Sequence, residues 1–346
     1  MWRDLFSFHI LGQSLAVDLG TSNTLICRKQ HGIVLNVPTV MALRVSDGSV
    51  VGVGESARMM LGKTPRSIRA IRPLQGGVIA DYETTRKLVT HFLELVQPYR
   101  SLIGPKLVLG VPTAATRVEQ RALIDIGEDV GARAVHLVEE PVAAVIGAEL
   151  PISEPTGHMI VDIGGGTSEA AVTSLNGVVV NRSIRVAGDE MDRAIVQYMR
   201  EEYNLHIGEQ MAEGIKKKIG CALAPDEQVT MKVRGRDLND GFPHEVEISS
   251  GELSTVLSSV LTTILDMIEA TLEVCPPALA GDIMEHGIYL AGGGASVKRF
   301  NEFVSARVKL PVHVVPDPLL AVVRGLGRLL VSPDLLAQVE ITPDLK

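Results

Sequence analysis

Hydrophobic positions along the chain follow two rhythms. Short runs rich in Val, Leu and Ile, such as "SLAVDL", "NTLICRK", "KLVLGVP", "RAVHLV" and "GIYLAGGG", read as buried strands. Between them lie stretches whose apolar residues recur every three or four positions. The clearest runs from Glu252 to Val274, where Leu253, Val256, Leu257, Val260, Leu261, Ile264, Leu265 and Ile268 share one helical face. "TRVEQRALIDIGEDVGA" predicts a helix ended by Gly131, and Pro141 suits the first turn of a helix through "VAAVIGAEL". "DEMDRAIVQYMREEY" predicts another helix, a further one is expected from Ala295, and "PVHVV" reads as a late strand. Residues 14 to 45 read as three strands in succession, the third being "GIVLNVPTVMALR". Strands alternating with amphipathic helices make the chain α/β.

The second half repeats the opening. "IVDIGGGTSEAAV" lies over "AVDLGTSNTLI" with Asp162 on Asp18 and Gly164 on Gly20, 144 residues apart. A repeated hairpin in two α/β halves suggests duplication with a cleft between the halves. Residues 204 to 247 are more polar and glycine-bearing and read as a small inserted subdomain.

Composition narrows the function classes. The 346 residues allow two domains or one large one. Aromatics are only 3%, so burial comes from Val, Leu, Ile, Ala and Met. A formal net charge of −8, with no Lys/Arg-rich run, argues against a nucleic-acid partner. Cys27, Cys221 and Cys275 lie far apart with no C-x-x-C, which suits a reducing cytosol. No uninterrupted apolar run reaches transmembrane length. In "MWRDLFSFHI", Trp2, Leu5, Phe6 and His9 share a face if helical. That segment reads either as an amphipathic membrane anchor or as an extended lead-in tucked against the first domain.

Three glycine-rich turns follow strands: Gly20-Thr21-Ser22-Asn23, Gly164-Gly165-Gly166-Thr167 and Gly292-Gly293-Gly294-Ala295. Glycines let backbone N–H groups converge on an anion, and small hydroxyls add donors. An Asp-x-Gly turn closing a hairpin needs no function by itself; two of them at equivalent strand ends can clamp a triphosphate. Asp18 and Asp162 would then hold one Mg²⁺ through water. Other phosphate motifs fail. Gly62-Lys63-Thr64 lacks the P-loop's leading glycine, position 57 being alanine, and position 169 of the second loop is Glu where G-x-G-x-x-G needs Gly.

The pair "DLGTSNTLI" and "VDIGGGTSE", with the late "GGGA" loop, resembles the ATPase fold shared by actin, sugar kinases and heat-shock chaperones. Within it the chain is most similar to the MreB family of bacterial actins, through "GIVLNVPTVMALR", "AIRPLQGGVIADYE", "EEPVAAVIGAELPISEPTG" and "CPPALAGDI" as well. The resemblance implies two duplicated RNase H-like domains, each with a smaller inserted subdomain, around a nucleotide cleft. It implies a membrane segment over 1–12, domain I over 13–141 with an insertion at about 32–75, and domain II over 142–318 with an insertion at about 187–247. Residues 319–346 would return to domain I. ATP and Mg²⁺ are the implied cofactors. Thr21, Ser22 and Asn23 match the first phosphate loop, and Gly164, Gly165 and Gly166 the second. Glu213, Gly214, Ile215 and Lys216 match positions beside the nucleoside, and Gly292, Gly293, Gly294 and Ala295 the loop under the adenine and α-phosphate. Glu140 matches the acid that orients the attacking water, supported by Thr167; read without the family, Glu140 is an ordinary acid at a helix start.

The family likeness further implies a filament-forming ATPase on the inner face of the cell membrane, in the cytoplasm. It would self-associate as paired protofilaments and act with membrane-spanning cell-wall elongation proteins to set rod shape. In "YRSLIGP", Leu102 and Ile103 lie between Arg100 and Gly104 where the family's membrane loop falls; read without the family, the pair simply caps the adjoining core. The chain departs from the family at Gly214, where arginine is usual, at Lys218 for glutamate, at Ala187 for glycine and at Ala291 for threonine. These bear on nucleotide affinity and hydrolysis rate. Two other classes use the same fold. A chaperone-type ATPase would need a long substrate-binding region, whereas the chain ends about twenty residues after Gly325. A small-molecule kinase would need an acceptor pocket with a base, and none stands out.

Overall fold

A computed structural model describes residues 13–97 and 103–341. They fall into two compact units, one of residues up to Pro155 with 173–178 and the segment from Leu320, the other of 156–172 and 179–319. Helix Glu140–Gly147 therefore sits in the first unit, past the 141/142 boundary expected from the sequence.

The first unit is built on a six-stranded sheet. Its central strand, Ser14–Leu19, has Leu15, Ala16 and Val17 buried in succession, the mark of a strand covered on both faces. Asn23–Arg28 and Gly32–Pro38 continue from it as an antiparallel meander, while Lys106–Val111 and Ala134–Glu139 lie parallel on its other side. Glu340–Ile341 closes that edge. Helix Tyr82–Val96 starts on Asp81, whose carboxylate accepts from Thr84 N at 3.0 Å. Helix Arg117–Asp129 starts on a Thr116/Glu119 capping box. The chain then turns at Gly131, whose φ of +86° favours glycine. Leu88, Phe92, Leu107, Ile126 and Leu137 fill the core.

The expected third strand is in fact two. The chain leaves the main sheet after Pro38 and re-enters a separate three-stranded sheet at Met41–Arg44, with Val50–Val53 and Ile68–Ile71 around Val40, Ala42 and Ala57. The break falls at Thr39, whose polar atoms are claimed by the first glycine turn, as described below.

The second unit repeats the arrangement in a five-stranded sheet, ordered Gly177–Ile184, Ser168–Ser174, His158–Ile163, Ile288–Ala291, Val312–Val314. The last two run parallel to His158–Ile163 and to one another. Helix Ser250–Glu273 is long and apolar enough to cross a membrane by length and composition. Here it is the core helix of this unit: Leu253, Leu257, Leu261, Ile264 and Ile268 are buried against Met159, Val161 and Leu290. Its Ser249 capping box includes Glu252. Burial opposes ionisation there, but donors from Ser249, Tyr203 and Tyr198 hold the Glu252 carboxyl down to about 2. A small three-stranded sheet, Leu205–His206, Thr230–Asp237 and Pro243–Ser249, occupies the segment read as an insertion. The helix expected from Ala295 begins later. Gly293–Ser296 forms a single 3₁₀ turn and the α-helix runs Phe300–Val308, because Arg299 takes a left-handed conformation at its N-cap.

Candidate functional site

Each repeat ends in the same turn. Asp18 and Asp162 are the fifth residues of equivalent strands. Gly20 N–H donates to Asn23 O at 3.1 Å, and 144 residues later Gly164 N–H donates to Thr167 O at 2.9 Å. A side chain at either glycine would crowd that turn: a Cβ on Gly20 would lie 2.7 Å from Asn23 O, and one on Gly164 3.2 Å from Thr167 O.

In the first unit the turn is held from behind by Thr39. Its N–H donates to Ser22 O at 2.9 Å and its hydroxyl to Gly20 O at 2.7 Å. From another side, Gly77 N–H donates to the Thr21 hydroxyl at 3.1 Å; Gly76 and Gly77 both have positive φ, which lets the 74–79 hairpin reach it. Asn23 Nδ2 donates to Asn36 Oδ1 at 2.8 Å. Glu140 is the first residue of its helix, followed by Pro141 in the first turn. Its side chain lies across the bare face of Gly110, where a Cβ would meet the Glu140 Cγ at 3.3 Å.

The second unit brings three of the expected segments together. Gly188 N–H donates to Gly164 O at 3.2 Å and Asp189 N–H to Gly165 O at 2.7 Å, so helix Gly188–Tyr203 starts on the glycine turn. Lys216 Nζ donates to Gly188 O at 2.7 Å and pairs with Asp192 at 2.9 Å. Burial pushes Asp192 up to about 6 even against the pull of Lys216, with Glu213 and Asp189 adding to the rise. The late loop closes on Asp162: a Cβ on Gly292 would sit 2.2 Å from the Asp162 Oδ1, and one on Gly294 2.3 Å from Ile163 Cγ2. Burial alone pushes the Asp162 carboxyl up to about 6.

The remaining positions are less direct. Ile215 and Ala295 have their side chains in the hydrophobic core, which leaves only their backbone for a ligand. Glu213 pairs with Lys217 along its own helix. Gly214 has open space where a Cβ would be. Ala187 is extended, with φ −159°, a conformation any residue adopts. Ala291 is the cross-strand neighbour of Asp162 and brings no hydroxyl to it. Thr39, Gly77, Gly110 and Asp192 were not among the expected site residues. The only sequence signal for Thr39 was a threonine after proline inside an apolar run.

Among the described residues no group of three or more His, Cys, Asp or Glu side chains makes a metal cage. The donors that are present suit a hard cation shared with a ligand: carboxylate oxygens, hydroxyls and backbone, with Asp162 a buried acid that a cation would relieve.

Two copies of one strand order, each opening on an Asp-x-Gly turn, define the actin-like fold. A profile of the MreB/Mbl protein family matches residues 12–338, and the chain belongs to that family of actin-like, cell shape-determining proteins. It is 46% identical over 339 residues to the cell shape-determining protein MreB of Escherichia coli (strain K12), covering 96% of each chain. It is 39% identical over 327 residues to the cell shape-determining protein Mbl of Bacillus subtilis (strain 168), covering 94% of this chain and 98% of that one. Among solved structures it is similar to MreB5 of Spiroplasma citri. The ADP-bound form has TM-score 0.89 at 37% identity and the AMPPNP-bound form 0.90 at 36%, each over 93% of this chain and 97% of that one.

Proposed function

We propose that this chain binds ATP with Mg²⁺, hydrolyses it, and assembles into filaments that lie on the inner membrane face and organise cell-wall synthesis. The observation that carries the reading is the turn repeated at Gly20–Asn23 and Gly164–Thr167, each just beyond a strand-end aspartate. The solved relative bound to ADP and to AMPPNP supports a nucleotide as the ligand. Thr21, Ser22, Asn23 and Gly164 to Gly166 would take the phosphates through backbone N–H and hydroxyl donors. Gly292 to Ala295, Glu213 and Lys216 would take the nucleoside side. Lys216 is already fixed to Asp192 and Gly188 O, so its position costs a ligand little entropy.

Asp18 and Asp162 would hold Mg²⁺, which neutralises phosphate charge when bound. Glu140 would accept a hydrogen bond from the attacking water and Thr167 would steady that water. Phosphoryl transfer depends mainly on positioning and charge neutralisation, which these groups can supply without covalent chemistry. Of the two apolar membrane contacts expected from the sequence, residues 1–12 and Leu102 lie outside the described residues. Ile103 is described, 38% exposed, and precedes Gly104, whose absent side chain lets it press on Gly131 O. The reading is tested by titrating the purified protein with ATP, ADP and Mg²⁺ and measuring phosphate release. Absence of nucleotide binding by a folded sample would overturn it.

A further inference from the structure

The first glycine turn and the 32–45 segment meet at one buried threonine, and the direction of its bonds can be assigned. Thr39 has no exposure and Thr24 almost none, so neither hydroxyl has water to fall back on. The Thr39 hydroxyl spends its single proton on Gly20 O, at 2.7 Å. The 2.9 Å contact between the two hydroxyls therefore runs one way, with Thr24 Oγ1 donating and Thr39 Oγ1 accepting. The Thr24 proton seats the Thr39 oxygen, the Thr39 proton holds the Gly20 carbonyl, and the Thr39 N–H holds the Ser22 carbonyl at 2.9 Å.

Two of the turn's carbonyls are thus drawn toward Thr39. A peptide unit is planar and trans, so its N–H points opposite to its C=O. Holding Gly20 O and Ser22 O on the Thr39 side therefore sends Thr21 N–H and Asn23 N–H to the other side. A carbonyl facing a phosphate repels it and an amide N–H attracts it, so the same turn with either peptide flipped would be a poor anion site. Of the turn's other two carbonyls, Thr21 O and Asn23 O, the latter is engaged internally, since it accepts from Gly20 N–H.

We propose that Thr39, seated by Thr24, is a positioning residue that locks the Gly20–Asn23 turn in its anion-binding form. It touches no ligand itself; it acts through the orientation of two peptide planes. The same requirement explains why the chain breaks out of the main sheet at this residue instead of continuing as one long strand. The inference rests on the nucleotide reading above and adds which buried group shapes the phosphate turn.

The test is a set of three full-length variants titrated with Mg·ATP and melted without nucleotide. Thr39→Val keeps the shape and loses the proton; affinity is expected to fall by about tenfold, as for a lost hydrogen bond that leaves a buried acceptor bare. Thr39→Ser keeps the proton and loses the methyl; it is expected to stay within about threefold of the unaltered chain, because packing is not what orients the turn. Thr24→Val leaves the Gly20 bond but frees the Thr39 oxygen, and an intermediate loss is expected. If Thr39→Val does not fold, Thr24→Val carries the test. Unchanged Mg·ATP affinity in a folded Thr39→Val or, failing that, Thr24→Val, overturns the proposal. So does a Thr39→Ser that is as weak as the valine variant, since packing would then be the cause. If the unaltered, folded chain binds no Mg·ATP at all, the nucleotide reading has failed first, and that outcome is distinct from the other two.

Discussion

At the scale of single residues, Asp162 is a buried acid whose ionisation opposes stability. Burial raises its carboxyl to about 6, above the value near 3.9 expected of an unfolded chain. Between those two values the folded protein holds a proton that the unfolded chain has released. Nucleotide-free stability should therefore fall as pH rises through that window, leaving a buried charge above it. Asp162→Asn removes the charge while keeping the shape. The nucleotide-free variant is expected to gain up to roughly 2–3 kcal/mol at pH 7.5, and to bind Mg·ATP more weakly than the unaltered chain. Thermal melts and a Mg·ATP titration on the same sample check both; a variant that is less stable and binds equally well would remove Asp162 from the site. Glu140 makes the opposite case, since it is assigned to water and not to nucleotide. Glu140→Ala should bind ATP about as well as the parent and release phosphate at least tenfold more slowly, within the usual effect of losing a general base. Normal phosphate release would show that its family role does not hold here. Asp162 was legible because it stands at a strand end that repeats Asp18, whereas Glu140 was legible only through the family resemblance, since an acid at a helix start is ordinary by itself. The sequence could not show Thr39, Gly77 or Asp192. Each acts through a partner distant in sequence, and nothing local marks a buried hydroxyl or amide as having one.

At the scale of elements, the strands were the most legible feature and the breaks the least. Runs such as Ser14–Leu19 and His158–Ile163 are apolar on both faces, a pattern that needs no tertiary information. The split at Thr39 and the delayed helix at Phe300 depend on a hydrogen bond to another element and on a left-handed Arg299, neither of which periodicity encodes. Helix packing was equally hidden. Helices Glu140–Gly147 and Ala321–Leu329 cross at backbone contact: a Cβ on Gly147 would lie 1.9 Å from Ala321 O and one on Gly325 1.8 Å from Ala143 O. Arg328 strengthens the crossing by donating to Ile146 O at 2.8 Å. Gly325→Ala must push the helices apart and is expected to cost about 1–3 kcal/mol or more. Gly281, inside helix Pro277–His286, has nothing near its missing Cβ. There the same change should stabilise by about 0.5–1 kcal/mol through helix propensity. Denaturant melts of the two variants should move in opposite directions. Equal shifts would mean that the close crossing is not a constraint.

At the scale of the whole molecule, the MreB/Mbl family match spans residues 12–338, and the proposed function is that of an assembled filament. Each proposed membrane contact is small, worth a few kcal/mol at roughly 25 cal/mol per Å² of apolar surface. A filament repeats the contact along its length and gains avidity with no new interaction. Binding to anionic liposomes should thus depend on assembly, and should fall sharply when residues 1–10 are deleted and Leu102 and Ile103 are changed to serine. Undiminished co-sedimentation of that assembled variant would move the membrane surface elsewhere. Neither Gly214 nor Ala291 strains the fold, since a Cβ at the first would meet open space and the second is buried in its strand. If nucleotide binding at the repeated turns drives self-assembly, as proposed, sedimentation must depend on the nucleotide. High-speed sedimentation of the full-length protein with Mg·ATP, with Mg·ADP and without nucleotide tests it directly. A pellet that forms with ATP above a critical concentration and is much reduced without nucleotide is expected; a folded protein that binds ATP yet stays in the supernatant at every concentration would rule out nucleotide-driven assembly.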